Sequence, residues 1–141
     1  MFLKVPNHSR YELKFIAYEH NYHSVINWIR LHELNFKEEY KPRIVNNIYF
    51  DSISYDSYKS NIFGDSSRIK MRYRWYGDIK TSNQGNLEIK FKRNLYGWKK
   101  RFKIKKFELL KNESWKYYCD LIHRSLPNVQ KIYFNANSNP T

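Results

Sequence analysis

A chain of 141 residues, 41% hydrophobic and 18% aromatic, is long enough and apolar enough for one folded domain and too rich in core-forming residues for a basic disordered tail. Its net charge of +13 points to an anionic partner; its single cysteine, Cys119, excludes an internal disulfide; and no apolar run approaches the roughly 20 residues that span a bilayer. With no signal-peptide core in "MFLKVPNHSRYELKF", a cytoplasmic single domain over residues 1–141 is the expected setting.

In chain order, "RYELKFIA" alternates Arg10, Glu12 and Lys14 with Tyr11, Leu13 and Phe15, which predicts a strand over about residues 10–15. From Asn21 to Glu33, Tyr22, Val25, Ile26 and Ile29 recur at helical spacing, with Asn21 or Ser24 as the cap. "RIVNNIYFD" reads as a second strand and "SYDSYKSNIFGD" as a connection turning at Gly64 and Asp65. In "SSRIKMRYRWYG", Arg68, Lys70, Arg72 and Arg74 take one strand face and Ile69, Met71, Tyr73 and Trp75 the other.

After the turn signal "TSNQG", "NLEIKFKRN" opposes Glu88, Lys90 and Lys92 to Leu87, Ile89 and Phe91. "KKRFKIKKF" opposes Arg101, Lys103 and Lys105 to Phe102 and Ile104, giving a strand over about residues 99–105. In "NESWKYYCDLIHRSL", Trp115, Tyr118, Cys119, Ile122 and Leu126 form a helical stripe, capped by Asn112 and ended by Pro127; "NVQKIYFNANSNPT" reads as a further strand. The pattern is α+β: antiparallel strands with helices on their apolar face.

The charge is concentrated. Between Ser66 and Lys106, 14 Lys and Arg stand against two acids, Asp78 and Glu88, so this segment carries +12 of the total. A helix-covered sheet with its cations in water accounts for the alternation alone, but solvated faces intersperse both signs, and this one is nearly all cationic. Its acids, Glu12 and Glu88, each stand two residues before a lysine. Polyphosphate, a nucleotide, nucleic acid and an acidic surface all fit such a field.

Other chemistries find little support. Among the five histidines only His20 and His23 are close in sequence, and they read as a surface pair. Gly64, Gly77, Gly85 and Gly97 stand in turn contexts rather than in a phosphate loop. Cys119 reads as a structural thiol, and Tyr73 and Trp75 as core rather than base-stacking residues.

"RYELKF", "NIYFDS" followed by "YDSY", "IKMRYRWYG", "LEIKFKR" and "WKKRFKI", in this order over about residues 9–107, resemble the first half of a VTC domain. That is the polyphosphate polymerase branch of the triphosphate tunnel metalloenzyme, or CYTH-like, superfamily. The resemblance implies an antiparallel sheet forming half of a tunnel-shaped β-barrel, ionic faces inward and helices on the outer apolar face. It implies transfer of the ATP γ-phosphoryl group to a polyphosphate chain, helped by manganese or magnesium.

Carried over position by position, Lys14, Arg72, Arg74 and Lys90 become the catalytic phosphate holders. Arg68, Lys70, Lys92 and one or both of Lys100 and Arg101 continue the wall. The metal ligands stay unassigned, with Glu12 and Glu88 as weak candidates. Hydrolase and cyclase relatives carry ExExK on the first strand; here Arg10 takes the first position, which favours the polymerase branch.

The resemblance covers the N-terminal half of the tunnel, so the expectation is an incomplete catalytic domain. It would bind triphosphate or polyphosphate, synthesise slowly or not at all, and self-associate or accept a complementing C-terminal half. The alternatives are a non-enzymatic module for polyphosphate or RNA, a triphosphatase or cyclase of the same superfamily, and a vestigial fragment.

Overall fold

The computed structural model describes residues 4–105, 107–109, 113–136 and 139–140. The chain divides into two compact units, Met1–Glu12 with Arg43–Thr141, and Leu13–Pro42. The first unit holds an antiparallel sheet built from β1 (Arg10–Tyr11), β2 (Val45–Asp51), β3 (Ser67–Tyr76), β4 (Asn86–Arg93), β5 (Tyr96–Lys103) and β6 (Asn139–Pro140). Their order is β1-β5-β4-β3-β2-β6. The sheet is thus four long strands with a two-residue strand at each edge, and no pairing joins the two edges among the described residues. The architecture is α+β, as expected, with an open sheet.

Alternation divides the sheet as the sequence predicts. Met71, Tyr73 and Trp75 of β3, Leu87, Ile89 and Phe91 of β4, and Phe50 of β2 are buried on one face. α3 (Trp115–Ser125) and α4 (Asn128–Ala136) contribute Tyr118, Ile122 and Phe134 to the same core, with Leu126 between them and Ile104 and Phe107 from the segment after β5. Trp115 and Cys119 pack against this core, which accounts for the whole predicted stripe of α3. Burial, then the Asp120 charge, raises the Cys119 thiol above its ordinary pKa, so little reactive thiolate forms.

The first strand is shorter than the 10–15 predicted. β1 runs antiparallel to β5 toward its beginning, and Glu12 N–H still donates to the Leu95 carbonyl (2.9 Å). β5 starts at Tyr96, just past the Asn94–Leu95 turn, so the partner strand runs out at Glu12. β5 ends at Lys103, placing Lys105 in a turn.

Residues 56–62, expected as connection, form α2 (Asp56–Ile62). Its N-terminal position, Tyr55, is left-handed (φ 57°) and cannot cap with its own side chain. Asp51 caps from the end of β2 instead: its carboxylate accepts from Ser57 N–H and Tyr58 N–H, both at 2.9 Å. The turn at Gly64 is present, with φ 71°.

Residues 128–136 are helical rather than the strand expected there. The Pro127 carbonyl accepts from Gln130 and Lys131 N–H, and Gln130, Tyr133 and Phe134 recur at helical spacing toward the core. Ser114 caps α3, accepting from Tyr117 N–H; the cap expected at Asn112 lies outside the described residues.

In the second unit, α1 (Tyr22–Leu31) follows a 3-10 turn; Asn21 occupies the cap position without a side-chain hydrogen bond, and none of the helix residues is fully buried.

The β3–β4 connection folds as a 3-10 segment, Ile79–Gln84, tied down by the Tyr73 hydroxyl donating to the Ser82 carbonyl and by Trp75 Nε1 donating to the Asp78 carbonyl (3.1 Å). It closes on Gly85. A Cβ there would stand 2.6 Å from the Tyr73 ring and 2.7 Å from the Arg74 carbonyl. Gly85→Ala is expected to cost about 2–3 kcal/mol through overpacking, read as a lower urea midpoint with unchanged m-value.

Candidate functional site

The face opposite the core is organised in cross-strand rows. Residues directly opposite one another share a face, and pairing aligns Arg68 with Lys92; Lys70 with Lys90 and Lys99; Arg72 with Glu88 and Arg101; and Arg74 with Asn86 and Lys103. Lys70, Lys90 and Lys99 therefore stand side by side across three strands. Like charges placed this way destabilise a sheet.

Glu88 is the counter-charge at the centre. It is 5% exposed and bridges three strands from the middle one. Its Oε2 accepts from Arg72 Nε (2.9 Å) and Nη2 (2.7 Å), while Oε1 accepts from Arg101 Nε (2.9 Å) and lies 4.0 Å from Lys99 Nζ. Arg72 Nη1 reaches the Tyr49 hydroxyl at 3.5 Å. Arg74 Nε donates to Asn47 Oδ1 (2.7 Å). The terminal nitrogens of Arg74 and Arg101 meet no partner among the described residues. Lys90 Nζ reaches both oxygens of Glu12, at 3.2 and 3.4 Å. Arg10, Glu12, Arg72, Glu88, Lys90 and Lys99 line a cleft of about 460 Å³.

Burial alone would raise the Glu88 carboxyl, but hydrogen bonds from Arg72 and Arg101, with the charges of Arg72 and Lys99, hold it below its ordinary pKa. Lys99 is lowered, first by desolvation, which Glu88 offsets, and then by the like charges of Arg101, Arg10 and Arg72. A depressed carboxylate stabilises the fold fully above its unfolded value, about 4.3, and loses that contribution as pH falls through the native value. Acid titration of stability should therefore be flatter in Glu88→Gln than in the wild type below about pH 4.3; parallel curves would remove Glu88 from the acid transition.

The structure brings together Arg68, Lys70, Arg72, Arg74, Lys90, Lys92 and Arg101 from the predicted set. Lys100 does not join them: it pairs with Ile89, so alternation turns it to the core side of β5, where it is exposed. Lys14 lies in the Leu13–Pro42 unit, exposed and outside regular structure, not on the strand expected there. Lys99 and Arg10 were missed. The signal for Lys99 was present, since it stands two residues before Arg101. Asn47 and Tyr49 carry no charge and gave no signal.

The carboxylates do not make a metal site as they stand. Both oxygens of Glu88 are taken by guanidinium groups, Glu12 is engaged by Lys90, and no cluster of three His, Cys, Asp or Glu suited to a metal occurs among the described residues. No helix among them is long and apolar enough to cross a membrane.

Comparison with curated proteins and with solved structures finds no match. The family model of the VTC domain matches residues 9–139, from the strand that carries Arg10 through the basic strands to β6. On that match the chain belongs to the VTC domain family, which points, at the level of the family, to a polyphosphate-polymerase-like function.

Proposed function

We propose that the ionic face of β3, β4 and β5 holds a phosphate chain, as one wall of a tunnel in which ATP and polyphosphate meet and the γ-phosphoryl group passes to the polyphosphate end. The observation that carries this reading is the lysine row Lys70, Lys90 and Lys99 beside two guanidiniums, Arg74 and Arg101, each anchored at Nε with terminal N–H groups that meet no partner among the described residues. Phosphate oxygens suit such forks, and a chain of them offsets the repulsion within the row. Phosphoryl transfer is mostly positioning and charge neutralisation, and these side chains supply both. Lys14 enters the set on the resemblance alone. No step here runs through a metal, because Glu88 and Glu12, the carboxylates of this face, are engaged by cations.

A second reading, a non-enzymatic polyanion module, is favoured by the open sheet. Competition tests the phosphate-chain preference that the first reading requires against binding by charge alone. Labelled polyphosphate is displaced by tripolyphosphate, ATP and a single-stranded RNA, compared at equal charge. The phosphate-chain reading predicts that tripolyphosphate displaces at about tenfold lower concentration than the RNA, a difference of about 1.4 kcal/mol; equal displacement per charge would leave only the generic module.

A further inference from the structure

We infer that Glu88 is a positioning residue of the anion site: it holds the Arg101 guanidinium by Nε, leaving its terminal nitrogens for phosphate, while Arg72 serves as a buttress rather than a phosphate contact. The inference rests on the phosphate reading of this face. All three nitrogens of Arg72 have partners: Nε and Nη2 lie on one oxygen of Glu88, and Nη1 reaches Tyr49. The Arg72 side chain is 22% exposed. Arg101 gives only Nε to the other oxygen, and its side chain is 58% exposed. One buried carboxylate on the central strand thus divides two arginines into a closed donor and an open one.

Charge alone predicts the opposite role. A carboxylate beside a bound polyanion repels it, so neutralising Glu88 should tighten binding. Positioning predicts weaker binding, because a neutral amide offers one acceptor where the carboxylate offers two, and the Arg101 fork loses its fixed direction. The sign of the effect separates the two accounts.

The experiment is calorimetric titration of tripolyphosphate into wild type, Glu88→Gln, Arg101→Lys and the double variant, in EDTA and again in manganese. Arg101→Lys keeps the charge and removes the Nε anchor. Each single variant is expected to bind about tenfold more weakly, the size of one charge-assisted hydrogen bond. The double variant should lose no more than either, since both changes remove the same orientation, and the losses should be equal in the two buffers. Binding by Glu88→Gln as tight as wild type or tighter, additive losses, or a loss confined to manganese each overturns the assignment. If circular dichroism shows Glu88→Gln unfolded, Arg101→Lys decides: a tenfold loss supports the assignment and unchanged binding overturns it. Wild type that fails to bind tripolyphosphate overturns the phosphate reading and this inference together, whereas wild-type binding with unchanged variants overturns the inference alone.

Discussion

Replacing Arg74 and Arg101 together with Ala should weaken tripolyphosphate binding about 100-fold. Each offers, on the ionic face, terminal N–H groups without a partner among the described residues, and one charge-assisted contact is worth about tenfold. Their loss leaves the core untouched, because both side chains stand opposite the buried face. The matched control removes the same two charges at Lys4 and Lys131, which lie outside the basic rows. Long-range attraction alone would penalise both pairs equally, and salt would screen both alike. Directed contacts predict a change within about twofold for the control. Equal losses in fluorescence titration would reduce the site to its net charge.

Tyr73→Ala should be the most damaging substitution in the core. Tyr73 is fully buried, its ring centroid lies 3.8 Å from that of Phe107, and its hydroxyl fastens the 3-10 segment before Gly85. Truncation opens a cavity bounded by the Phe107 ring and removes one of the two hydrogen bonds to the Ser82 carbonyl, leaving that from Gly85 N–H (3.2 Å), a cost of about 3–5 kcal/mol, against total stabilities of about 5–15 kcal/mol. Tyr73→Phe separates the two contributions: it keeps the ring and should lose about 1 kcal/mol. Urea unfolding followed by far-ultraviolet circular dichroism measures both. A Phe variant as damaged as the Ala variant would shift the weight from packing to the hydroxyl.

The sheet was legible because its signal is local. Period-two alternation in β3, β4 and β5 assigns every residue a face, and burial follows it at Met71, Tyr73 and Trp75 of β3 and at Leu87, Ile89 and Phe91 of β4. What failed depended on partners distant in sequence. β1 stops where β5 begins, at Tyr96, which no pattern in "RYELKF" can show. α2 is capped from Asp51, five positions before the helix begins, so its start carries no ordinary cap residue. α4 was misread because its apolar residues, taken in isolation, also suit a strand, whereas Pro127 and the core position of Phe134 decide for a helix. At the site, charge made the arginines and lysines visible. The choice between Lys100 and Arg101 needed the register, and the bridging role of Glu88 needed three strands at once.

The central claim is that phosphate binds the ionic face through directed contacts. Its most direct test is a titration of isotope-labelled protein with tripolyphosphate, followed by the arginine side-chain Nε–Hε and backbone amide resonances. The account predicts saturable shifts concentrated at Arg74, Arg101 and the row of Lys70, Lys90 and Lys99, with Lys4, Lys100 and Lys131 silent. Shifts spread evenly over the cations, Lys100 and Lys131 included, would contradict it.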